Sequence, residues 1–323
     1  MSLSQMQVFN QYVMPAAIET LAQQIELFNA ASQGMIVMST DGFVGDFSES
    51  SFWNAIHSSQ RRVDRYAAQG TPTVTDLTQT KKAAVKIAGG FGPIRYEPAQ
   101  LTWLNKPTAE AIEVASRNMS EAIMADMLNT AILALITAIQ NQAAVTNDVS
   151  ASAGISYNAF NDAHAKFGDA SGTLVGMVMN GISAHKLIGQ NLTNTNRLYV
   201  AGGVLVLDIL GKPVVVTDAP ALYAAGSPNK LKVLSLRPGA AKVHNAGDII
   251  TNIQTNNGGT RISTTMQTDY SFGLELDGYT WDEANGGKSP SDAAIGTGTN
   301  WDFVNASYKH SAGVVTIGSQ ALS

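Results

Sequence analysis

The chain has 323 residues, of which 45% are hydrophobic and 14% charged, so it can bury a sizeable core and is not a disordered protein. Its net charge of −5 argues against a general affinity for nucleic acid, and its lack of cysteine excludes disulfides, thiolate metal ligands and a cysteine nucleophile. No lysine or arginine precedes Arg61, so the positively charged start of a secretory signal is missing. We therefore expect the protein to be cytoplasmic when it is synthesised.

The first 33 residues are predicted to form two helical pieces. The break falls at Met14 and Pro15, because proline lacks the N–H that a continuous helix needs. In the second piece a single apolar stripe has helical spacing and consists of Ile18, Leu21, Ile25 and Phe28. We expect this N-terminal arm to pack against another surface.

Residues 36–98 change to short β-like runs separated by turn residues. Apolar residues are too sparse here for an independent core, which predicts an extended two-stranded loop that leans on other surfaces. The run Gly89-Gly90-Phe91-Gly92 is predicted to be a turn. A phosphate cradle is not favoured, because Pro93 and another β-like run follow it where a helix would be needed.

Charge is distributed unevenly over these two segments. Residues 57–98 carry seven bases and three acids, a net charge of +4, whereas residues 1–56 carry five acids and no base. Opposite charge could steer the loop of one subunit onto the arm of another, although a solvated charged loop is the alternative. The candidate subunit-contact residues are Arg61, Arg62, Arg65, Lys81, Lys82, Lys86, Glu19, Glu26, Asp41 and Asp46.

A long helix is predicted from Pro107 to Gln142, without an internal glycine or proline. Its first half is amphipathic, with Met119, Ile123 and Met127 on one stripe. From Ala131 to Ile139 apolar residues lie all round, which predicts burial on every side. This run is shorter than the ~20 residues of a membrane span, so burial within protein is favoured.

The remainder is predicted to contain a compact α/β unit at residues 155–255, with helices at 157–167 and 181–190 and buried strands including 174–179, 213–217 and 230–236. Residues 260–281 alternate as long half-exposed strands do. Residues 283–299 are predicted to be a loop, and residues 301–317 a closing strand. The low charged fraction would suit burial against copies of the chain, although a compact alanine-rich protein explains it as well.

No catalytic or metal constellation is found. The five histidines have no second ligand at HExxH spacing, and no serine lies in a GxSxG elbow. The sequence therefore predicts no enzyme activity, no cofactor and no metal. A nucleotide-binding enzyme built on residues 155–255 is kept as a remote alternative.

Four motifs, in their order along the chain, carry a resemblance to a known family. They are Gly45–Trp53 (GDFSESSFW), the helix, apolar strand and helix within 157–187, Leu210–Pro220 (LGKPVVVTDAP), and Asn300–Val315. Together they resemble the major capsid proteins of tailed bacteriophages, with Ser51 where proline is common in the family.

This resemblance implies an α+β fold with an N-terminal arm at 1–35, an extended loop at 36–98, a peripheral domain at 99–154 and 256–323 that holds a spine helix at 107–142, and an axial domain at 155–255. It implies a structural protein that assembles as pentamers and hexamers into an icosahedral shell around double-stranded DNA. The shell would be located in the virion capsid and assembled in the host cytoplasm.

The resemblance also implies partners. They are other copies of the chain, a portal and possible decoration proteins. A separate scaffolding protein is also expected, because only about 35 residues precede the loop. DNA would be enclosed without sequence-specific binding, and no membrane would be involved. Lys81, Lys82 and Lys86 are candidates for covalent cross-linking by location alone. A nanocompartment shell of the encapsulin type is the alternative within the same fold.

Overall fold

The structure is a computed structural model, which describes residues 16, 18–19, 21, 23, 25, 29, 32–39, 42–53, 59–71, 74, 76–97, 109–193, 200–201, 204–205, 212–245, 247–257 and 259–322. Among the sequence predictions, the first helical piece of the arm, Phe28, Glu26, Asp41 and Pro107 lie outside these residues. The described part is a mixed α+β fold, as predicted.

Five α-helices are labelled here: α1 (Ala109–Gln140), α2 (Tyr157–Ala165), α3 (Gly181–Thr193), α4 (Glu283–Gly286) and α5 (Asp292–Ile295). The first three confirm predicted helices. The two short ones were predicted to be loop. Each begins at a polar cap, since Asp282 accepts hydrogen bonds from the backbone N–H groups of Ala284 and Asn285, and Ser291 accepts one from Ala294.

The strands are β1 (Ile36–Ser39), β2 (Phe47–Trp53), β3 (Gln79–Tyr96), β4 (Thr146–Asp148), β5 (Gly176–Met179), β6 (Val200–Ala201), β7 (Val204–Leu205), β8 (Val214–Val216), β9 (Tyr223–Ala224), β10 (Lys230–Leu236), β11 (Ala241–Asn245), β12 (Ile250–Asn256), β13 (Ser263–Leu276), β14 (Tyr279–Trp281), β15 (Trp301–Phe303) and β16 (Gly313–Ser319). The predicted closing strand at 301–317 is therefore wrong as a single element. It is divided into β15 and β16 by a turn of 3₁₀-helix, Tyr308–His310.

The first large sheet has the strand order β1-β11-β13-β3-β2, and β12 also pairs with β13. The longest ladder of this sheet joins β13 to β3. Strand β2 pairs antiparallel with the other side of β3 and is the outer strand of the extended loop. The predicted two-stranded loop thus shares a sheet with the body of the protein, and this shared ladder holds its root.

The glycine-rich run that was predicted to be a turn lies inside β3, where the register shifts between Met266 and Thr268 of β13. A Cβ atom on Gly89 would lie 2.8 Å from the ring of Tyr270, and Gly92 has a φ of +101°. The glycines therefore allow an aromatic ring to lie against the strand and the backbone to adopt a bulge that other residues resist. This prediction failed because the packing of Tyr270 is a long-range contact.

The second large sheet has the order β4-β16-β10-β5-β8, with β9 also paired to β10. Buried side chains of α2 and α3, including Phe160 and Leu187, pack with Met177 and Val233 of this sheet. Four strands depart from the expected domain limits. β4, within 99–154, and β16, within 256–323, belong to this second sheet, whereas β11 and β12, which lie within 155–255 apart from Asn256, belong to the first.

Helix α1 is 32 residues long. Most of the run from Ala131 to Ile139 is buried, as predicted, but Leu133 and Thr137 are only partly buried. Seven residues of this half are at most 1% exposed: Ala131, Ile132, Ala134, Leu135, Ile136, Ala138 and Ile139. The helix contacts β11 and β13 of the first sheet, β16 of the second, and helix α5. It is the core element shared by both sheets.

The segment Arg117–Gln140 of α1 is long and apolar enough to cross a bilayer by length and composition. The shortness of the fully apolar run therefore does not distinguish a membrane span from a core helix. Burial does, because more than half of its most apolar window is covered by the rest of the protein. Ser120, which falls off the predicted apolar stripe, is also fully buried.

One polar contact ties α1 to the first sheet. The hydroxyl of Tyr270 on β13 donates to Asp126 Oδ2 on α1 at 2.6 Å. Tyr270 is 5% exposed, and its burial, reinforced by the bond to Asp126, raises the pKa of its hydroxyl above the usual range. The proton therefore stays on Tyr270, and the bond is a charge-assisted one.

A second buried polar group lies under the second sheet. His164 Nε2 is 3.0 Å from Ser235 Oγ of β10, and burial together with the charge of Lys212 lowers the pKa of His164 to about 4. Lys212 itself donates to the carbonyl oxygens of Ser171 and Leu174. At neutral pH His164 is uncharged beside the half-buried cation of Lys212.

Replacing Tyr270 by Phe removes the hydroxyl without changing the ring. We expect the free energy of unfolding to fall by about 1–2 kcal/mol, because the half-buried Asp126 carboxylate loses a donor. Urea denaturation of the isolated subunit measures this change. The matched control is Tyr223→Phe, whose exposed hydroxyl makes a 3.4 Å contact with Gln320 and should not matter. Equal stability of the two variants would contradict the assignment.

The stability of the subunit is expected to fall as the pH drops from about 7 to about 4. The folded state holds His164 neutral down to a pKa of about 4, whereas the unfolded chain takes up the proton near pH 6.5. The unfolded state therefore binds more protons in this window, which lowers the free energy of unfolding by up to about 3 kcal/mol. Urea titrations across this range should show a shallower pH dependence for His164→Gln, and an unchanged one for the exposed His185→Gln.

Candidate assembly surfaces

The tip of the extended loop is the most exposed part of the described chain. We define the loop tip as the described residues 59–71, 74 and 76–78, which connect β2 to β3. All of them are exposed, and none belongs to a strand or α-helix. The ladder from Phe47↔Val85 to Trp53↔Gln79 ends where the tip begins, so β-pairing positions the root but leaves the tip uncovered.

The loop tip combines cationic and apolar side chains. No ion pair involves Arg61, Arg62 or Arg65 within the part of the chain that the structure describes, and the Arg65 guanidinium lies 6.0 Å from the centre of the Tyr66 ring. Tyr66 is 93% exposed and Val74 is 84% exposed, with Val63 and Leu77 more than half exposed. Exposed apolar and cationic side chains on a single segment are typical of a surface that meets a partner.

The three candidate lysines at the root are engaged within the subunit. Lys81 Nζ lies 2.7 Å from Glu283 Oε1 and 2.6 Å from Glu49 Oε1. Hydrogen bonds to Glu283 and Glu49 raise the pKa of Lys81. Lys86 Nζ lies 2.6 Å from Asp248 Oδ2, and the hydrogen bond from Lys86, followed by that from Ser271, lowers the pKa of Asp248.

Lys82 is the most buried of the three, with 13% of its side chain exposed. Its Nζ lies 2.7 Å from Glu275 Oε1 and 4.0 Å from Asp277 Oδ1, both near the end of β13. Burial alone would raise the pKa of Glu275, but the hydrogen bond and charge of Lys82, with Lys242 nearby, outweigh it and lower that pKa. This pair fixes the loop root to the first sheet.

The acidic candidates are less fully described. Glu19 is an exposed helical residue, and Asp46 is exposed with its Oδ2 4.0 Å from Lys288 Nζ. Glu26 and Asp41 lie outside the described residues. The proposed contacts between subunits stay predictions for all ten residues. The geometry separates them into lysines with partners inside the subunit and exposed arginines that have no ion pair among the described residues.

Sequence reasoning missed the internal partners Glu49, Asp248, Glu275 and Glu283. Their distance along the chain from the lysines hides them, since Lys81 and Glu283 are 202 residues apart. Strand pairing was the signal that could have found one of them, because the predicted hairpin places Glu49 near Lys81.

A second surface feature is an open cleft of about 650 Å³ at the start of α3, lined by Gly181, Ile182, His185, Lys186 and Asp218. The Gly181 N–H donates to Asp218 Oδ1 at 3.1 Å, so Asp218 already occupies the end of the helix. Among the residues that the structure describes, no group of three or more His, Asp or Glu side chains could hold a metal ion. Neither feature forms an arrangement of acid, base and nucleophile.

Solved structures share this architecture. A chain from Mycobacterium phage Adephagia is 11% identical, with 87% of each chain covered and a TM-score of 0.51. The Cyanophage Pam1 capsid asymmetric unit is 10% identical, with 88% of this chain and 87% of that chain covered and a TM-score of 0.51. The fold is therefore that of the tailed-phage major capsid proteins.

The family is shown by sequence. A family model described as Gp13-like, major capsid protein 13-like, matches residues 5–315, and the chain belongs to this family. It is a structural protein of a capsid shell. No curated protein matches the chain. The holo-SrpI encapsulin complex from Synechococcus elongatus is a weaker neighbour, 7% identical over 76% of each chain with a TM-score of 0.44, a level that supports no argument.

The two neighbouring lysines of the loop root provide a matched test of its anchoring. In Lys82→Met the half-buried Glu275 loses its nearest cation, so the free energy of unfolding should fall by about 1–3 kcal/mol. Lys81→Met removes a more exposed pair and should leave subunit stability unchanged within error. Urea denaturation of both variants at low ionic strength measures the difference. A larger loss for Lys81→Met would contradict the proposed anchoring through Lys82.

Proposed function

We propose that this capsid protein assembles as pentamers and hexamers into an icosahedral shell that encloses double-stranded DNA. The shell forms in the host cytoplasm and is the capsid of the virion. The observation that carries the proposal is the loop tip, which leaves three arginines and several large apolar residues uncovered at the end of a hairpin rooted in the body of the subunit. Membership of the family supports a role in the shell. The icosahedral symmetry of the shell and the DNA inside it are inferred.

The acceptor for the loop tip is proposed to be the N-terminal arm of a neighbouring copy. Residues 1–35 carry Glu19 and Glu26 and no base, whereas the loop tip carries Arg61, Arg62 and Arg65 against Asp64 and Asp76. Charges of opposite sign on two such segments favour the correct pairing of subunits and speed their association. The apolar side chains Val63 and Tyr66 would then be removed from water, which supplies affinity that charge alone does not.

The two sheets suggest how the subunit is divided into domains. We propose that the axial domain is built on the second sheet and includes β16, whereas β11 and β12 belong with the first sheet in the peripheral domain. This changes the limits expected from sequence, 155–255 for the axial domain and 99–154 with 256–323 for the peripheral one. Helix α1 would serve as the spine, because it contacts strands of both sheets.

The electrostatic character of the chain suits enclosure of DNA without sequence-specific binding. A net charge of −5 gives no general attraction to phosphate, so the inner surface of the shell would not bind the DNA backbone tightly. No catalytic role is proposed, and no cofactor is needed. A separate scaffolding protein, a portal and decoration proteins are proposed as partners by family resemblance alone.

The shell and the loop contact can be tested with one set of variants. The unaltered chain, expressed with its candidate scaffold and imaged by negative stain, is expected to form closed particles of uniform size. Reversing Arg61, Arg62 and Arg65 to Glu should lower particle yield at least tenfold, roughly the effect of 1.4 kcal/mol of unfavourable charge at each contact. Circular dichroism and urea denaturation should show that the subunit remains folded.

Two further variants isolate the role of charge. The triple Arg→Lys variant keeps the charge and should assemble, and reversal of Glu19 and Glu26 to Lys in the Arg→Glu background should restore particles if the arm is the acceptor. An unchanged yield for the Arg→Glu variant would contradict the contact, and only small soluble species from the unaltered chain would contradict the shell. Nuclease-resistant DNA in particles from infected cells supports the proposed contents, whereas a protein cargo would favour a nanocompartment.

A further inference from the structure

The chain contains three asparagine–glycine pairs, Asn180–Gly181, Asn257–Gly258 and Asn285–Gly286. In such a pair the backbone nitrogen of glycine can attack the side-chain amide carbon of asparagine, because glycine has no Cβ to obstruct the approach. The N–Cγ bond forms, the Cγ–Nδ2 bond breaks and ammonia leaves. Water then opens the resulting succinimide to aspartate or isoaspartate. The reaction needs no enzyme, oxidant or cofactor.

The first pair is held in place by the start of α3. Asn180 is 4% exposed, and its Oδ1 accepts a hydrogen bond from the backbone N–H of Ser183 at 2.9 Å. The attacking nitrogen, that of Gly181, donates to Asp218 Oδ1 at 3.1 Å. Both reacting groups are therefore engaged elsewhere, and the buried amide cannot rotate toward the backbone without breaking these bonds.

The third pair is held by the cap of α4. The backbone N–H of Gly286 donates to the carbonyl oxygen of Asp282 at 2.8 Å, and the side chain of Asn285 donates to Asp282 Oδ2. A Cβ on Gly286 would lie 2.1 Å from the Trp281 ring, so this backbone is packed against the core. The nucleophile and the amide are again both occupied.

The second pair differs from the other two at Asn257. The β12–β13 ladder ends at Asn256↔Ser263, so Asn257 is the first residue beyond the last paired position. Asn257 is exposed, as are Asn256 before it and Gly259, Thr260 and Arg261 after it. Exposed positions at the end of a hairpin open most readily in a folded protein, and water has direct access to the amide.

We propose that Asn257 is a site of spontaneous deamidation in the folded subunit, whereas Asn180 and Asn285 are protected by their hydrogen bonds. The product places a new negative charge at the tip of the β12–β13 hairpin. The isoaspartate form also adds a methylene group to the main chain there. The inference is independent of the proposed shell, because it concerns the chemistry of the free subunit.

Ageing the purified full-length subunit in mildly alkaline buffer tests the proposal. Peptide mass spectrometry follows the conversion of each amide to an acid, and separation of aspartate from isoaspartate peptides identifies the succinimide route. We expect Asn257 to convert at least about tenfold faster than Asn180 and Asn285 in the folded chain. In denaturant the three sites should react at similar rates, which establishes that folding creates the difference.

Two glycine variants complete the test. Gly258→Ala should slow conversion at Asn257 several-fold, because a Cβ crowds the attacking nitrogen, while Gly259→Ala leaves the pair intact and should not change the rate. Comparable rates at the three sites in the folded chain would overturn the proposal. A rate at Asn257 that is the same in Gly258→Ala as in the unaltered chain would also overturn it, since the glycine would then have no part in the reaction.

Discussion

The burial of the second half of α1 is the interaction on which the two sheets depend. Seven of the nine residues from Ala131 to Ile139 have almost no exposed surface, and β11, β13 and β16 all contact the helix. Each fully buried leucine or isoleucine contributes about 1.5–3 kcal/mol, so this short run is among the strongest stabilising segments of the chain. Alanines between the larger residues let backbone elements approach the helix closely, and the sheets are joined through it.

The charged residues divide into two groups with different consequences. At the root of the loop, lysines of β3 pair with acids on β2, β13, α4 and the segment before β12, so charge there is satisfied inside one subunit. At the loop tip the arginines have no such partner among the described residues. A fixed root and an uncovered tip are what a projecting contact element requires, because order in the root reduces the conformational entropy lost on binding.

Much of the fold could be predicted because many of its helices and strands follow from the pattern of apolar residues in their own segments. An uninterrupted helical segment predicted α1, and runs of buried residues predicted β5 and β10. The glycine run in β3 was misread because the ring that packs on Gly89 comes from Tyr270, far along the chain. The short helices α4 and α5 were missed since their caps, Asp282 and Ser291, lie in a segment whose composition is typical of a loop. The sheet to which β16 belongs could not be predicted either, because it is determined by pairing with strands far away in the sequence.

The candidate contact residues show the same limit. Lysine and arginine look alike in a count of charge, and the sequence could only place all of them in the loop. Folding separates them, since β-pairing brings Lys81, Lys82 and Lys86 against acids that local patterns cannot locate.

The position of β16 also has a consequence for synthesis. This strand lies between β4 and β10 in the second sheet, and its Val315 pairs with Thr146 of β4, which precedes it by 169 positions. A chain still being translated therefore has an open sheet at this point, with the apolar residues Val314, Val315 and Ile317 not yet available to cover its core. The second sheet therefore closes only after residues 313–319 have left the ribosome.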